Sequence, residues 1–398
     1  VVHVITRFDK GGSAENTFLT VTGLDPARYE TYLLAGSDGQ DTAAAVSTPS
    51  AESAAAEENM ARVRAAGVKT FIVPELVRPV APLRDLRAFL RIRGLIRRLA
   101  PQIVHTHTSK AGIIGRLAAF SAGVPVVVHT PHGHVFWGYF GAVASRFFIT
   151  LEKSASRLTD RLIMLTGQEK ADHLRYRIAP PDKFVVIHSG VCLEPFLQIT
   201  IADRRPDSDP AFPPDSFVIG TIGRLTAIKG QSYLLEAAAG LLREIPELIC
   251  IIVGEGELRR ELAARAASLG MGERAFFPGW RRDVPSYMAA LDLFVMPSLN
   301  EGMGRVVVEA MAAGRAVIAS DVGGLRDLVV HGENGLLVPP GNAAALAAAI
   351  RTLYRDPKRR RIMGQNGRMK APAFSAAAMI KKIDELYMNL LREKHVCR

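Results

Sequence analysis

LFVMPSLNEGMGRVVVEAMAAGRAVIASD (293–321) reads as one complete unit of a parallel sheet. An apolar run ends at Ser298 and a glycine-bearing loop follows. Helical spacing covers 304–313, and a second apolar run fills 315–321. Neither run alternates apolar with polar, so each is expected to be buried on both faces, as in a βαβ unit. The loop carries the chemistry. Glu301 lies in it and Glu309 one to two turns into the helix, which puts their Cα atoms at most about 12 Å apart. Gly302 and Gly304, either side of Met303, let backbone N–H groups approach a ligand closely, and the helix start offers positive potential to phosphate. A loop acid and a helix acid at this spacing also arise by chance, so the segment needs company.

The same texture extends in both directions. FVIGTIG (217–223), LICIIVG (248–254), RAFFPG (274–279) and GLLVPP (335–340) read as strands, with helices near 230–244, 257–268 and 342–354. In IGTIGRLTAIKG (219–230), Arg224 and Lys229 follow a strand. An Arg fork and a Lys point charge at that edge neutralise a diphosphate, and open α/β sheets bind ligands there. Alone this is a solvated basic loop; beside Glu301 and Glu309 the ligand reading prevails. VGEGELRRE (253–261) fits G-x-G at Gly254 and Gly256 but has Arg259 at the third glycine position, a poor dinucleotide fingerprint.

Upstream, 197–216 carries four prolines and no hydrophobic period, and reads as a linker. Before it the strand–helix series appears again. VVHVIT (1–6), ETYLLAG (30–36), VKTFIVP (68–74), IVHTH (103–107), VPVVVHT (124–130), RLIMLT (161–166) and KFVVIHSG (183–190) read as strands, with helices at 84–99, 111–122 and 143–157. Residues 41–60 read as a weak helix or mobile surface. The expected fold is α/β with two Rossmann-like domains facing a central cleft, 1–196 and 217–372, and a helix within 373–398 packing back on the first.

The first half offers its own candidates. Gly11 and Gly12 follow the first strand ahead of a helix, where they permit close approach of a ligand or simply a tight turn. His132 follows another strand and can hydrogen-bond a substrate hydroxyl or assist a proton, although an isolated histidine is more often a cap or core residue. Trp137 and its aromatic neighbours form an acceptor platform or a packed loop. His107 and Lys110 sit after the strand at 103–107. No H-x-x-x-H or acidic triad accompanies these histidines, so no metal is expected. In the helix at 84–99, Leu86, Phe89, Ile92, Ile96 and Leu99 form the expected buried stripe. Arg84, Arg87, Arg91 and Arg98 lie opposite, either as a solvated face or as a contact for anionic lipid.

Composition sets bounds. The 398 residues hold 50 Lys plus Arg against 39 Asp plus Glu, a net charge of +11 that favours an anionic partner. With 48% hydrophobic and 22% charged residues, a mainly disordered chain is excluded. Three scattered cysteines argue against a disulfide framework or structural zinc site and fit a reducing compartment. No apolar run reaches the length of a membrane span and no secretory signal is visible; residues are expected to precede Val1, which is not an initiator methionine. The aromatic-interleaved sheet pattern of single-strand nucleic-acid binders is absent, so no nucleic-acid partner is expected.

GRLTAIKG (223–230) and EGMGRVVVEAMAAGRAVIASDVGG (301–324), in this order, resemble the family-four retaining glycosyltransferases of the two-Rossmann B-type fold. GGSAEN (11–16), VHTHTSKAG (104–112) and HTPHG (129–133) look like members acting on lipid-linked glycans of surface polysaccharide pathways. The resemblance implies transfer from a nucleotide-diphosphate sugar, UDP-sugar above all, to a hydroxyl acceptor with no cofactor and no metal. Arg224 and Lys229 would hold the diphosphate. Glu301, with amides at Met303 and Gly304, would bind the transferred sugar, and Glu309 the ribose. Arg281 would edge the base near Gly254. Gly11 and Gly12 would close over the phosphates, and His132 would contact the donor sugar. His107, Lys110 and Trp137 would face the acceptor. A cytoplasmic enzyme, peripheral at the inner membrane face, is implied. Two positions depart from the family pattern: Ser189-Gly190-Val191-Cys192 replaces Asn-Gly-Val/Ile-Asp, and Asp327 replaces a glutamate. The same two-domain plan serves UDP-sugar 2-epimerases and glycogen-type phosphorylases, and a basic lipid- or nucleic-acid-binding protein is a non-enzymatic alternative that leaves Glu301 and Glu309 unexplained.

Overall fold

The computed structural model describes residues 1–9, 11–37, 51–133, 141–199, 212, 213 and 215–396. It divides into two compact units, Val1–Gly190 with Ala376–Arg398, and Val191–Ser375. The first unit holds β1 (Val2–Ile5), α1 (Gly12–Gly23), β2 (Tyr32–Gly36), α2 (Ala51–Ala65), β3 (Lys69–Val73), α3 (Pro82–Leu99) and β4 (Ile103–His107). It continues with α4 (Ser109–Ser121), β5 (Val126–Thr130), α5 (Ala142–Ser156), β6 (Arg161–Met164), α6 (Gly167–Arg175) and β7 (Phe184–Val186). The second unit holds α7 (Glu194–Leu197), β8 (Phe217–Ile222), α8 (Gln231–Leu241), β9 (Leu248–Val253), α9 (Arg259–Ser268), β10 (Ala275–Gly279) and α10 (Val284–Ala290). Then come β11 (Leu293–Met296), α11 (Arg305–Ala312), β12 (Ala316–Ser320), α12 (Leu325–Leu328), β13 (Gly335–Val338), α13 (Ala343–Arg355) and α14 (Pro357–Lys370). A last helix, α15 (Ala376–Glu393), rejoins the first unit.

Both sheets are parallel throughout. The first runs β3-β2-β1-β4-β5-β6-β7 and the second β10-β9-β8-β11-β12-β13. Each is the doubly wound order in which the winding reverses beside the first strand, between β1 and β4 and between β8 and β11. The carboxyl edge of that reversal is where such sheets open a crevice for ligands. The central strands are buried at every position, as their unbroken apolar runs require. The second sheet is sandwiched between two cores, one built on Val218, Phe294, Val307 and Met311 and the other on Ile219, Leu234, Ile252 and Ile350.

α15 presents Met379, Ile383, Tyr387, Leu390 and Leu391 to Leu19, Leu24, Tyr29 and Ile163. Arg28 and the Tyr29 hydroxyl, 2.7 and 2.5 Å from the Asp384 carboxylate, tie its exposed flank to the segment after α1. The boundary expected at residue 196 moves to Gly190. Val191 donates its N–H to Phe374 O at 3.1 Å, and Leu193, Phe196, Ile199 and Phe212 are buried in the second unit. The proline-rich composition marks a surface excursion after the chain has already changed domain; residues 200–211 lie outside the described residues.

α3 also needs a correction. Its buried stripe is Ala88, Ile92 and Ile96, flanked by Phe89, Leu95 and Leu99. Leu86, expected inside, is 55% exposed, beside exposed Leu83 and Leu90. Three-to-four spacing fits two overlapping stripes here, and the small Ala88 selects the one that lets α3 pack closely against the sheet. No helix of the described residues is long and apolar enough to cross a membrane.

Candidate functional site

In the second unit the loops after β8 and β11 meet at the sheet reversal. Gly230 makes this possible: its φ is +66°, and a Cβ there would lie 2.2 Å from Pro297 O. The Leu299 N–H donates to Ile228 O at 2.8 Å and stitches the loops together. Lys229 Nζ then reaches Glu301 Oε2 at 2.5 Å, with the side chains 25% and 13% exposed. The Ser298 hydroxyl donates to the same oxygen at 3.2 Å. A half-buried carboxylate is thus held by two donors from different loops.

Glu301 is fixed from behind as well. The Gly324 N–H lies 3.2 Å from Glu301 O and 2.8 Å from Gly302 O. Gly323, at φ +48°, approaches so closely that a Cβ would lie 1.9 Å from Glu301 O. Gly304 adopts the left-handed conformation at φ +74° and opens α11. Met303 is buried, whereas Gly302 is exposed with open space where its Cβ would be. The start of α11 therefore turns its backbone amides toward a fixed carboxylate and a lysine, the equipment for an anionic, hydroxyl-rich ligand. Glu309 lies in the second turn of α11, half-buried, while Val307, Val308, Ala310 and Met311 face the core. The side chain of Arg224 is exposed, and its carbonyl accepts from Gln231 Nε2 at 2.9 Å. Arg281 is half-buried after β10 with its guanidinium 5.6 Å from the Tyr287 ring centre. Gly254 has a packing duty: at φ +137° its missing Cβ would lie 1.9 Å from Gly223 O, so it joins the ends of β8 and β9.

In the first unit, Gly11 caps α1 at φ +137°, and a side chain on Gly11 or Gly12 would meet open space. No packing demand accounts for the pair. Asn16 of α1 donates to Ser189 Oγ at 2.9 Å, one of the positions that depart from the family pattern. His132 sits at φ +58° after β5. It is half-buried, and desolvation drives its pKa down to about 3, so it acts as a neutral hydrogen-bonding group. Its Nε2 is 3.0 Å from His107 Nδ1, and His107 Nε2 is 3.0 Å from His3 Nδ1. Glu169 grips the same loop: its carboxylate accepts from Gly133 N–H at 2.9 Å and Leu165 N–H at 2.6 Å. Burial raises its pKa to about 7.

Two acceptor-side expectations are corrected. His107 is buried with both ring nitrogens occupied by histidines, so it cannot touch an acceptor directly. Lys110 is spent on Asp85, at 2.5 Å, and on Pro79 O, joining α4 to α3. Trp137 lies outside the described residues. Ring nitrogens of His3, His105 and His107 lie within 4.8 Å of one another, a grouping that ligand spacing within one segment does not show. Both nitrogens of His105 are also engaged, with the Tyr387 hydroxyl at 2.6 Å and Thr130 Oγ1 at 2.8 Å. Ser298, His3 and Glu169 escaped the sequence reading; the partners of His3 and Glu169 lie on or after other strands. Only the buried position of His3 within an apolar run hinted at a role.

Comparison with known proteins places the whole chain in a family. Residues 2–195 match the profile of Glycosyltransferase Family 4 and residues 204–370 that of Glycosyl transferases group 1. The chain is 33% identical over 331 residues to a UDP-Gal:alpha-D-GlcNAc-diphosphoundecaprenol alpha-1,3-galactosyltransferase of Escherichia coli, covering 82% of this chain and 85% of that one. It is 32% identical over 324 residues to the putative glycosyltransferase EpsD of Bacillus subtilis, covering 80% and 84%. The crystal structure of Anabaena HepE in complex with UDP superposes with a TM-score of 0.78 at 23% identity over 98% of this chain and 99% of that one. Two doubly wound units of this order, with matching profiles across both, make the chain a glycosyltransferase belonging to glycosyltransferase family 4.

Proposed function

We propose that the protein transfers a sugar, with retention of configuration, from a UDP-sugar to a hydroxyl of a lipid-diphosphate-linked glycan, and that it needs no metal. The observation that carries this reading is the Lys229–Glu301 pair at the mouth of α11, at the point where the second sheet reverses. Lys229 and exposed Arg224 neutralise the diphosphate, which supplies the charge compensation that a metal would otherwise give. Glu301 and the amides at 302–304 hold the sugar, Glu309 the ribose, and Arg281 the edge of the base. Within the first unit, Gly11 and Gly12 leave room for a ligand at the start of α1, and His132 offers a substrate a neutral hydrogen-bonding group.

In the reaction, the bond from the anomeric carbon to the β-phosphate oxygen breaks as the acceptor oxygen bonds to the same face. The acceptor proton passes to the leaving phosphate. Lys229, Arg224 and the helix start stabilise the charge that develops there. The lipid acceptor is favoured by the E. coli relative, whose name specifies a diphosphoundecaprenol acceptor, and by α3. That helix exposes Leu83, Leu86 and Leu90 among Arg84, Arg87, Arg91 and Arg98, an apolar and basic surface suited to the anionic inner leaflet.

The test is transfer by the full chain, in EDTA, from UDP-, GDP- and ADP-sugars to a polyprenyl-diphosphate monosaccharide. A UDP-sugar-dependent lipid product with the donor's anomeric configuration is expected. An inverted product overturns retention, activity only after adding a divalent ion overturns metal independence, and product from another nucleotide overturns the assignment of the base.

A further inference from the structure

Three histidines form an ordered series, two of them buried and the third half-buried. His3 on β1, His107 at the end of β4 and His132 after β5 are linked by two N···N contacts of 3.0 Å. The rings stack at centroid separations of 5.3 Å in both steps. Burial holds all three pKa values well below the ordinary histidine value, so each ring is neutral and carries one N–H. That restricts the hydrogens. If His107 carries its hydrogen on Nδ1, it donates to His132 Nε2, and its bare Nε2 must accept from His3 Nδ1. If it carries the hydrogen on Nε2, every donor reverses. The chain has two states only, and the tautomer of His3 dictates that of His132, two rings away.

The two ends differ. His3 Nε2 and His132 Nδ1 are both buried atoms without a hydrogen-bond partner among the described residues. Buried N–H groups are seldom left without an acceptor, whereas a bare acceptor is tolerated more often. His3 Nε2 lies within a strand buried at every position. That end is best left bare, which puts the hydrogen on His3 Nδ1. The whole chain then points outward, and His132 Nδ1 carries a hydrogen at the end of the series on the loop after β5. The neighbouring His105, its ring 4.2 Å from His107 and 5.2 Å from His3, is held separately by Tyr387 and Thr130. It packs the series without joining it.

We propose that His3 and His107 are positioning residues that fix His132 in the tautomer with hydrogen on Nδ1, so that His132 meets the donor substrate as a neutral hydrogen-bond donor to a hydroxyl or phosphoryl oxygen. The role of His132 toward the donor rests on the proposed function; the tautomer order does not.

The test is nitrogen NMR of the full chain labelled with 15N-histidine at neutral pH, with the His132 signals identified by their loss in His132→Asn. The expected spectrum has His132 as one neutral tautomer, Nδ1 protonated and Nε2 bare. A His132 that is cationic, protonated on Nε2 or an even mixture overturns the proposal. His3→Phe removes the first donor and is expected to release His132 into a mixture and to lower kcat about tenfold, the worth of one well-placed hydrogen bond. His3→Asn, whose amide replaces the Nδ1 donor, is expected to restore both the single tautomer and most of kcat. An unchanged His132 tautomer in a folded His3→Phe overturns the relay. If the tautomer responds while transfer and donor KM do not, the relay stands and the role of His132 toward the donor fails.

Discussion

Gly323→Ala is expected to disable transfer while leaving a folded protein. Gly323 touches Glu301 from behind: a Cβ at that position would lie 1.9 Å from Glu301 O and 3.1 Å from Glu301 C. Contacts below about 3.0 Å do not occur for real Cβ atoms, so the Glu301 backbone must retreat by about 1 Å. The neighbouring Gly324 N–H, which bonds Glu301 O and Gly302 O, is displaced with it. A misplacement of about 1 Å at a group that orients a substrate costs roughly 100-fold in rate. The left-handed backbone at φ +48° adds about 1–2 kcal/mol of instability for a residue with a Cβ. Urea unfolding is expected to lose about that much, and kcat about 100-fold. A Gly323→Ala protein with wild-type turnover would refute the argument that Glu301 needs its present position. Wild-type stability would refute the contact itself.

Three further outcomes follow from the same geometry. Glu301→Gln keeps the size of the side chain, so stability is expected to change by under about 1 kcal/mol while kcat falls at least about 100-fold; paired urea curves and turnover measurements decide it. Glu169, with its carboxyl raised to about 7 by burial, binds more protons folded than unfolded between the ordinary glutamate pKa and about 7. Unfolding free energy is therefore expected to fall by up to about 3 kcal/mol as pH rises through that window, a slope that Glu169→Gln removes. On α3, Arg84→Glu with Arg87→Glu is expected to weaken sedimentation with phosphatidylglycerol vesicles by roughly 1 kcal/mol for each basic residue lost, and to leave binding to neutral vesicles unchanged.

The strands and their parallel α/β arrangement were legible because buried parallel strands leave unbroken apolar runs, whereas the order of the strands was not read from the sequence. β4 was read as 103–107, its observed extent, and the remaining strands to within a few residues. The boundary at Gly190 was not legible. It depends on what Val191 and Phe196 pack against rather than on composition, and the visible proline cluster pulled the reading to 197. α3 shows the same difficulty at a finer scale: Leu86 and Ala88 both fit helical spacing, and only the depth available above the sheet chooses between them. In the candidate site, Lys229 and Glu301 could be paired on paper because both follow strands beside the sheet reversal. The histidines could not. His3 on β1 is 104 residues from His107 on β4, and His132 follows β5 another 25 residues on, so their chain exists only once β1, β4 and β5 lie side by side. The pairing of Lys110 with Asp85, at 2.5 Å, was hidden in the same way, since it exists only once α3 and α4 pack together.

The most direct test of the account is calorimetric titration of UDP into the wild-type chain and into Arg224→Ala with Lys229→Ala, both in EDTA. Each lost charge-assisted bond is worth about 1.5–3 kcal/mol. The account therefore predicts metal-free UDP binding in the wild type that is weaker by at least about 100-fold in the double variant. Equal UDP affinity in the two folded proteins, or no binding by the wild type until a divalent ion is added, would contradict it.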